Sequence, residues 1–335
     1  MFRTTEVRFM WRVFSALSLL SSAVLLGACT HAPTLDSGEP ESWVVESVVS
    51  KSTADLYAEL VKPAVFERSN SKVINGYTIE SGKLRMPDNS EGALVTVRSP
   101  DGGLTAFINK PGKSGSLYVD SKGVSSFIPL SIAESDIEDA VPNPDEKVAT
   151  ASVKSAVTES YVVDLFMGYS KSGVDRAGGD AMRDALAKVE FLNLALRNSL
   201  VPNVSFKLVG IQIVEPDYQV TDETLNRLPT IFSEGIASTD PDMFYGNFGS
   251  FSPGGPAGLA WMPGRYGIAI SHDFYVFAHE MGHSAGSHHC NDGTNNYRFG
   301  YFNGKSGSFY VAETGKLIIR ILCSKTNTAC HEEML

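Results

Sequence analysis

The eleven residues from His279 to His289 read H-E-M-G-H-S-A-G-S-H-H, and they constrain this chain more tightly than any other stretch. Residues four apart on an α-helix share one face, about one turn apart. His279 and His283 therefore aim two imidazoles in one direction. Glu280 sits next to the first ring, rotated by roughly 100°. Gly286 then ends the helix, because glycine accepts positive φ at little cost and lets the chain turn back. The turn carries His289 towards the open side of the first two rings. Such a constellation needs a helix held rigidly in a core. Phe274, Tyr275, Val276, Phe277, Ala278 and Met281 supply the apolar packing, and Asp273 or Ser271 is the expected N-cap.

Three imidazoles with one position left for water are the ligand set of a catalytic zinc ion; a fourth protein ligand would make the site structural. Zinc lowers the pKa of its bound water from about 15.7 towards about 7. Glu280 lies where it can take that proton as general base while the oxygen attacks a peptide carbonyl, and can later protonate the leaving amine. H-E-x-x-H alone arises by chance in roughly one in a hundred chains of this length. Gly286 and His289 at fixed offsets cut that by roughly a few hundredfold. Five of the seven histidines fall between His272 and His289, which scattered surface histidines would not do. His288 directly precedes His289 and is its rival as third ligand, while His272 reads as a bystander or an outer support.

The run resembles the zinc motif of the metzincin peptidases. The preceding segments 258–262 and 266–271 are similar to the edge strand and approach loop of bacterial reprolysin-like (adamalysin-like) members. The resemblance runs from about Tyr161 to the C-terminus. It assigns zinc to His279, His283 and His289, and the general base to Glu280. It also implies a methionine in a tight turn beneath the metal. The chain offers Leu322, in the run 319–323, or Met334, one residue from the end. Leucine fills a similar apolar volume. The resemblance further implies that members continue past such a point, so a C-terminal truncation is one expectation.

Export is the second strong reading. Arg3, Arg8 and Arg12 precede an apolar stretch over residues 13–28, a pattern of a signal peptide rather than a spanning helix. The run Leu26-Gly27-Ala28-Cys29 resembles a bacterial lipoprotein signal, which implies cleavage before Cys29 and lipid on that residue. Two or more acyl chains give stable anchoring to a membrane. The expected location is the cell envelope, at the outer membrane or cell surface. Cys290, Cys323 and Cys330 are the other three of four cysteines, and an oxidising compartment would favour one disulfide among them. A net charge of −10 and the lack of a basic stripe argue against nucleic acid as a partner.

These features divide the chain into a signal peptide (1–28), a polar tether (29–42), a mainly β unit (43–133), an acidic linker (134–158) and a catalytic region (159–335). In the β unit, apolar pieces 94–98, 104–109, 116–120 and 124–130 are separated by Gly- and Pro-bearing turns. By position it is either a propeptide or a permanent accessory domain. It contains no cysteine, so thiolate latency is absent and a carboxylate or plain steric cover would have to supply any. The linker is rich in Asp and Glu and is a candidate cleavage site. Beyond it, the spacing of Met182, Leu186, Val189, Leu192 and Leu196 predicts a helix over 179–200. Strands are expected at 161–169 and 204–214, a helix at 221–232 capped by Thr221, and a loop over 246–258. The fold class is α/β (α+β): a metzincin-like domain with a twisted mixed sheet and a zinc helix, preceded by a mainly β domain. The leading function is an exported zinc endopeptidase whose protein or peptide substrate adds as a strand beside the sheet edge. The competing ones are a binding-only surface lipoprotein on a degenerate peptidase fold and a zinc amidase acting on cell-wall peptides.

Overall fold

Alternation of apolar and polar residues, punctuated by tight turns, builds the first half of the molecule into an antiparallel meander. In this computed structural model the described residues are 41–44, 61–110, 113–129, 140–142, 161–198, 204–250, 255–262, 264–284, 309–313 and 318–322. Strands β1 (Glu41–Val44), β2 (Val65–Ile74), β3 (Tyr77–Arg85), β4 (Glu91–Arg98), β5 (Leu104–Lys110), β6 (Lys113–Val119) and β7 (Val124–Pro129) form a seven-stranded sheet in the order β1-β7-β6-β5-β4-β3-β2. Its period of two is used on both faces. Ala93, Val95, Val97 and Phe107 point into one buried cluster, while Leu94, Leu104, Ala106 and Ile108 point into another.

The second sheet is mixed. Its strands are β8 (Ala140–Pro142), β9 (Tyr161–Ser170), β10 (Val204–Val214), β11 (Met243–Phe248), β12 (Gly258–Met262) and β13 (Tyr266–Ile270), in the order β10-β9-β11-β13-β12-β8. Strands β9, β10, β11 and β13 run parallel, and β12 pairs antiparallel with β13. Helices α1 (Lys171–Arg176), α2 (Ala181–Asn198), α3 (Asp222–Ile231), α4 (Ser233–Thr239) and α5 (Phe274–Ser284) connect and cover these strands. A hairpin of β14 (Phe309–Glu313) and β15 (Ile318–Leu322) follows. Thr221 caps α3 as its hydroxyl position suggests, accepting from Thr224 N at 3.2 Å. Residues 246–248, expected in a loop, are instead the end of β11. Flanked by β9 and β13, that strand is buried throughout, so it has no polar alternation to betray it. Among the described residues no helix is long and apolar enough to cross a membrane.

Helix α2 organises the interior. All described elements fall in one unit, Gly38–Leu335, and α2 lies between its two sheets. One buried cluster joins Ile79, Val95, Val97 and Phe107 of the seven-stranded sheet to Leu186, Phe191, Leu192 and Leu196 of α2. The same cluster takes in Leu165 and Met167 of β9 and Phe274, Phe277 and Met281 of α5. A helix covered on both sides has no solvated face, so its charged residues must find partners inside. Arg183, Asp184, Lys188 and Glu190 are all buried. Lys188 is held at 2.7 Å from Asp184, donates to Asn247 Oδ1 of β11 at 2.7 Å, and donates to the carbonyl of Ser271 at 2.6 Å. Tyr169 of β9 donates to Asp184 at 2.9 Å. This network nails α2 to the mixed sheet and to the turn that feeds α5.

Candidate metal centre

Helix α5 begins where Asp273 turns its carboxylate back on the first free amides. Its Oδ1 accepts from Tyr275 N at 2.9 Å and Val276 N at 3.0 Å, so Asp273 is the N-cap and Ser271 is not. Ser271 instead fixes the approach through its backbone: its N–H reaches Phe248 O at 2.8 Å and its carbonyl receives Lys188. Phe274 stacks on Phe107 at 4.4 Å and meets Phe191 edge-on at 4.7 Å. Phe277 meets Tyr245 edge-on at 4.7 Å. Aromatic pairs of this kind contribute about 0.5–1.5 kcal/mol each beyond their burial. The helix that carries the histidines is thus packed along most of its length before any ligand is considered.

On that helix, His279 and His283 project from one face as their spacing requires. Their Nε2 atoms are 2.9 Å apart and the rings stand at 89° to each other. Two imidazole nitrogens converging on one point are a donor pair suited to zinc, which takes nitrogen ligands at about 2.0–2.1 Å in tetrahedral geometry. His283 is fully buried, so its ring is fixed by packing. Among the described residues no cluster of three His, Cys, Asp or Glu side chains converges. The expected third ligand His289, its rival His288, the helix-ending Gly286, the lipidation candidate Cys29 and Met334 lie outside the described residues. Leu322 ends β15, opposite Phe309, on a strand that approaches α5.

Glu280 is buried beside β12. Gly258, the first residue of that strand, makes room for it: a Cβ there would stand 2.5 Å from Glu280 Oε1, 2.6 Å from its Cγ and 2.5 Å from Val276 Cγ1. The sequence placed Gly258 in the edge strand but gave no sign that its missing side chain is the seat of the carboxylate. The free side of β12 carries another surprise. Strand β8, from the acidic linker, pairs with it in parallel, with Ala260, Trp261 and Met262 opposite Ala140, Val141 and Pro142.

His272 is not among the converging rings. It lies in the turn before Asp273, where its carbonyl accepts from Ser116 Oγ at 2.9 Å. Burial, reinforced by the positive charges of Arg176 and Lys188, lowers its pKa to about 4. An unfolded imidazole titrates near 6.5. Between those values the unfolded chain binds the extra proton and the folded one does not. The stabilisation is therefore complete above about pH 6.5 and lost as pH falls towards 4, by at most about 3 kcal/mol. Urea unfolding at pH 7.5, 6 and 5 is expected to show this loss in the native chain and a flatter profile in His272→Phe. Identical pH slopes would rule it out.

A family model for metallo-peptidase family M12 matches residues 159–328, just over half of the chain. No curated protein matches it. Among solved structures, one described as the structure of a chaperone-substrate complex is 19% identical with a TM-score of 0.35, covering 59% of this chain and 30% of that one. This chain thus spans less than a third of that protein's length. The crystal structure of metalloproteinase-II from Bacteroides fragilis is 13% identical with a TM-score of 0.40, covering 74% of this chain and 88% of that one. The matched span opens before β9 and takes in the whole of α5 with its two facing imidazoles and its carboxylate; this chain belongs to metallo-peptidase family M12.

Proposed function

We propose that this protein is an exported, zinc-dependent endopeptidase. The observation that carries the reading is the pair of Nε2 atoms of His279 and His283, 2.9 Å apart on the helix that also bears buried Glu280. His279, His283 and His289 would hold the ion. When bound, zinc would acidify a water and polarise a peptide carbonyl. The chain's own groups do the rest. Glu280, seated over Gly258, would serve as the general base, accepting a proton from the attacking water at its carboxylate and delivering it to the departing amine. Strand β12 offers backbone groups to an extended peptide. Ala140–Pro142 already pair with part of that strand, so a substrate must take the place of the linker. That pairing would be the plain steric cover, one of the two routes to latency, carboxylate or steric, open to a β unit that contains no cysteine. Lipid on Cys29 would keep the molecule at the cell envelope, and Cys29→Ser is expected to move it from the membrane fraction to the soluble one.

The test is cleavage of casein by the purified full-length protein, with a chelator and again after zinc is restored. Activity should disappear with the chelator and return with the ion. Cleavage indifferent to chelation, or none under any condition, would overturn the proposal, the second outcome leaving the binding-only reading.

A further inference from the structure

We propose that the seven-stranded sheet is a permanent half of this molecule, so that a chain cut in the linker remains a single two-piece particle. The inference goes beyond the peptidase reading and does not rest on it. Its ground is the way α2 meets the sheet. The contact is more than apolar: four charged residues of α2 find partners on or beside strands of the first sheet. Glu190 accepts from Ser81 Oγ of β3 at 2.5 Å and Asn70 Nδ2 of β2 at 2.9 Å, and is paired with Lys72 of β2 at 2.8 Å. Arg183 donates to Thr105 Oγ1 of β5 at 3.0 Å and to Ser99 Oγ, at the end of β4, at 3.2 Å. Asp184 accepts from Tyr118 of β6 at 3.4 Å. Arg197, on the last turn of the helix, donates both to Ser81 and to Glu190 at 2.8 Å.

Removing the sheet would leave Glu190 with Arg197 alone and strip Arg183 of both hydroxyl acceptors, while exposing the apolar residues around them. Water would then hydrate those charges, so the cost of separation lies in the apolar surface laid open: Val95, Val97 and Phe107 of the sheet share one buried cluster with Leu186, Phe191 and Leu192 of α2. The sheet also grips the start of the histidine helix, through Ser116 on the carbonyl of His272 and Phe107 on the ring of Phe274. A surface built this way has the apolar continuity of an obligate interface rather than that of a docked, removable segment. A covalent link through the linker is not what holds it.

The experiment inserts a site for a sequence-specific protease within residues 147–156 of the full-length chain. The folded protein is cut to completion and passed over a gel-filtration column, first concentrated and then diluted about 100-fold. The expected result is one native peak containing both pieces at both concentrations, resolved into two only in denaturant. Two separate native peaks, or either piece lost alone to the pellet, would overturn the proposal. Because the readout is association, it can fail while casein cleavage survives, and the reverse.

Discussion

Glu280→Gln should keep the metal content of the purified protein and lower kcat for casein cleavage by about 10²–10⁴-fold, the range that a positioned general base contributes. Glutamine has nearly the shape of glutamate and will sit in the same place beside β12, so the loss isolates the proton transfer. Gly258→Ala is the companion experiment. Its new Cβ falls within 3 Å of Glu280 and Val276, so the carboxylate must shift. A displacement of about 1 Å in a reacting group can cost on the order of 10²-fold. We expect a fall of about 10–100-fold in kcat, with a loss of stability of about 1–3 kcal/mol from the overpacking. Full activity in the glutamine variant would remove Glu280 from the base role. Full activity in the alanine variant would show that β12 does not seat it.

The second large effect is on stability. Lys188→Met should destabilise the protein by about 3–5 kcal/mol, because it leaves Asp184 buried with its counter-ion gone. For a domain of this size that lowers the melting temperature by roughly 10 °C. Burial raises the Asp184 carboxyl and lowers the Lys188 ammonium, each opposed by the other's charge. Adding Asp184→Asn to the methionine variant removes the stranded charge yet keeps an acceptor for Tyr169. The double variant should therefore recover part of the loss, a coupling that a double-mutant cycle measures directly. A single-variant loss below about 1 kcal/mol would mean that the pair is far better solvated than its geometry indicates.

The same lysine shows where sequence reading stops. Asp184 and Lys188 stand four apart and look like an exposed helical ion pair; only the covering of α2 on its second side turns them into a buried one. The apolar stripe from Met182 to Leu196 located the helix but described one of its two packed faces. Thr221 was legible as a cap because its chemistry is local. The facing of His279 and His283 was legible because helical geometry alone sets it. The pairing of β8 with β12 was not, since three residues inside an acidic stretch carry no periodicity and register is decided by tertiary contact. Strands β2 and β3 escaped as well. Arg68, Ser69 and Asn70 interrupt any alternation there, at a bulge between Arg68 and Asn70.

Chain order gives the shared interior a further meaning. Cys29 precedes the first sheet, and the linker follows it. With lipid at Cys29, as proposed, the sheet is the leash. A nick in the linker would shed nothing, since the piece bearing α5 would stay moored through Glu190, Arg183 and Phe274 and β8 would keep its place on β12. Only a cut upstream of Glu41 would set the whole particle adrift, and it would leave with its cover still in place.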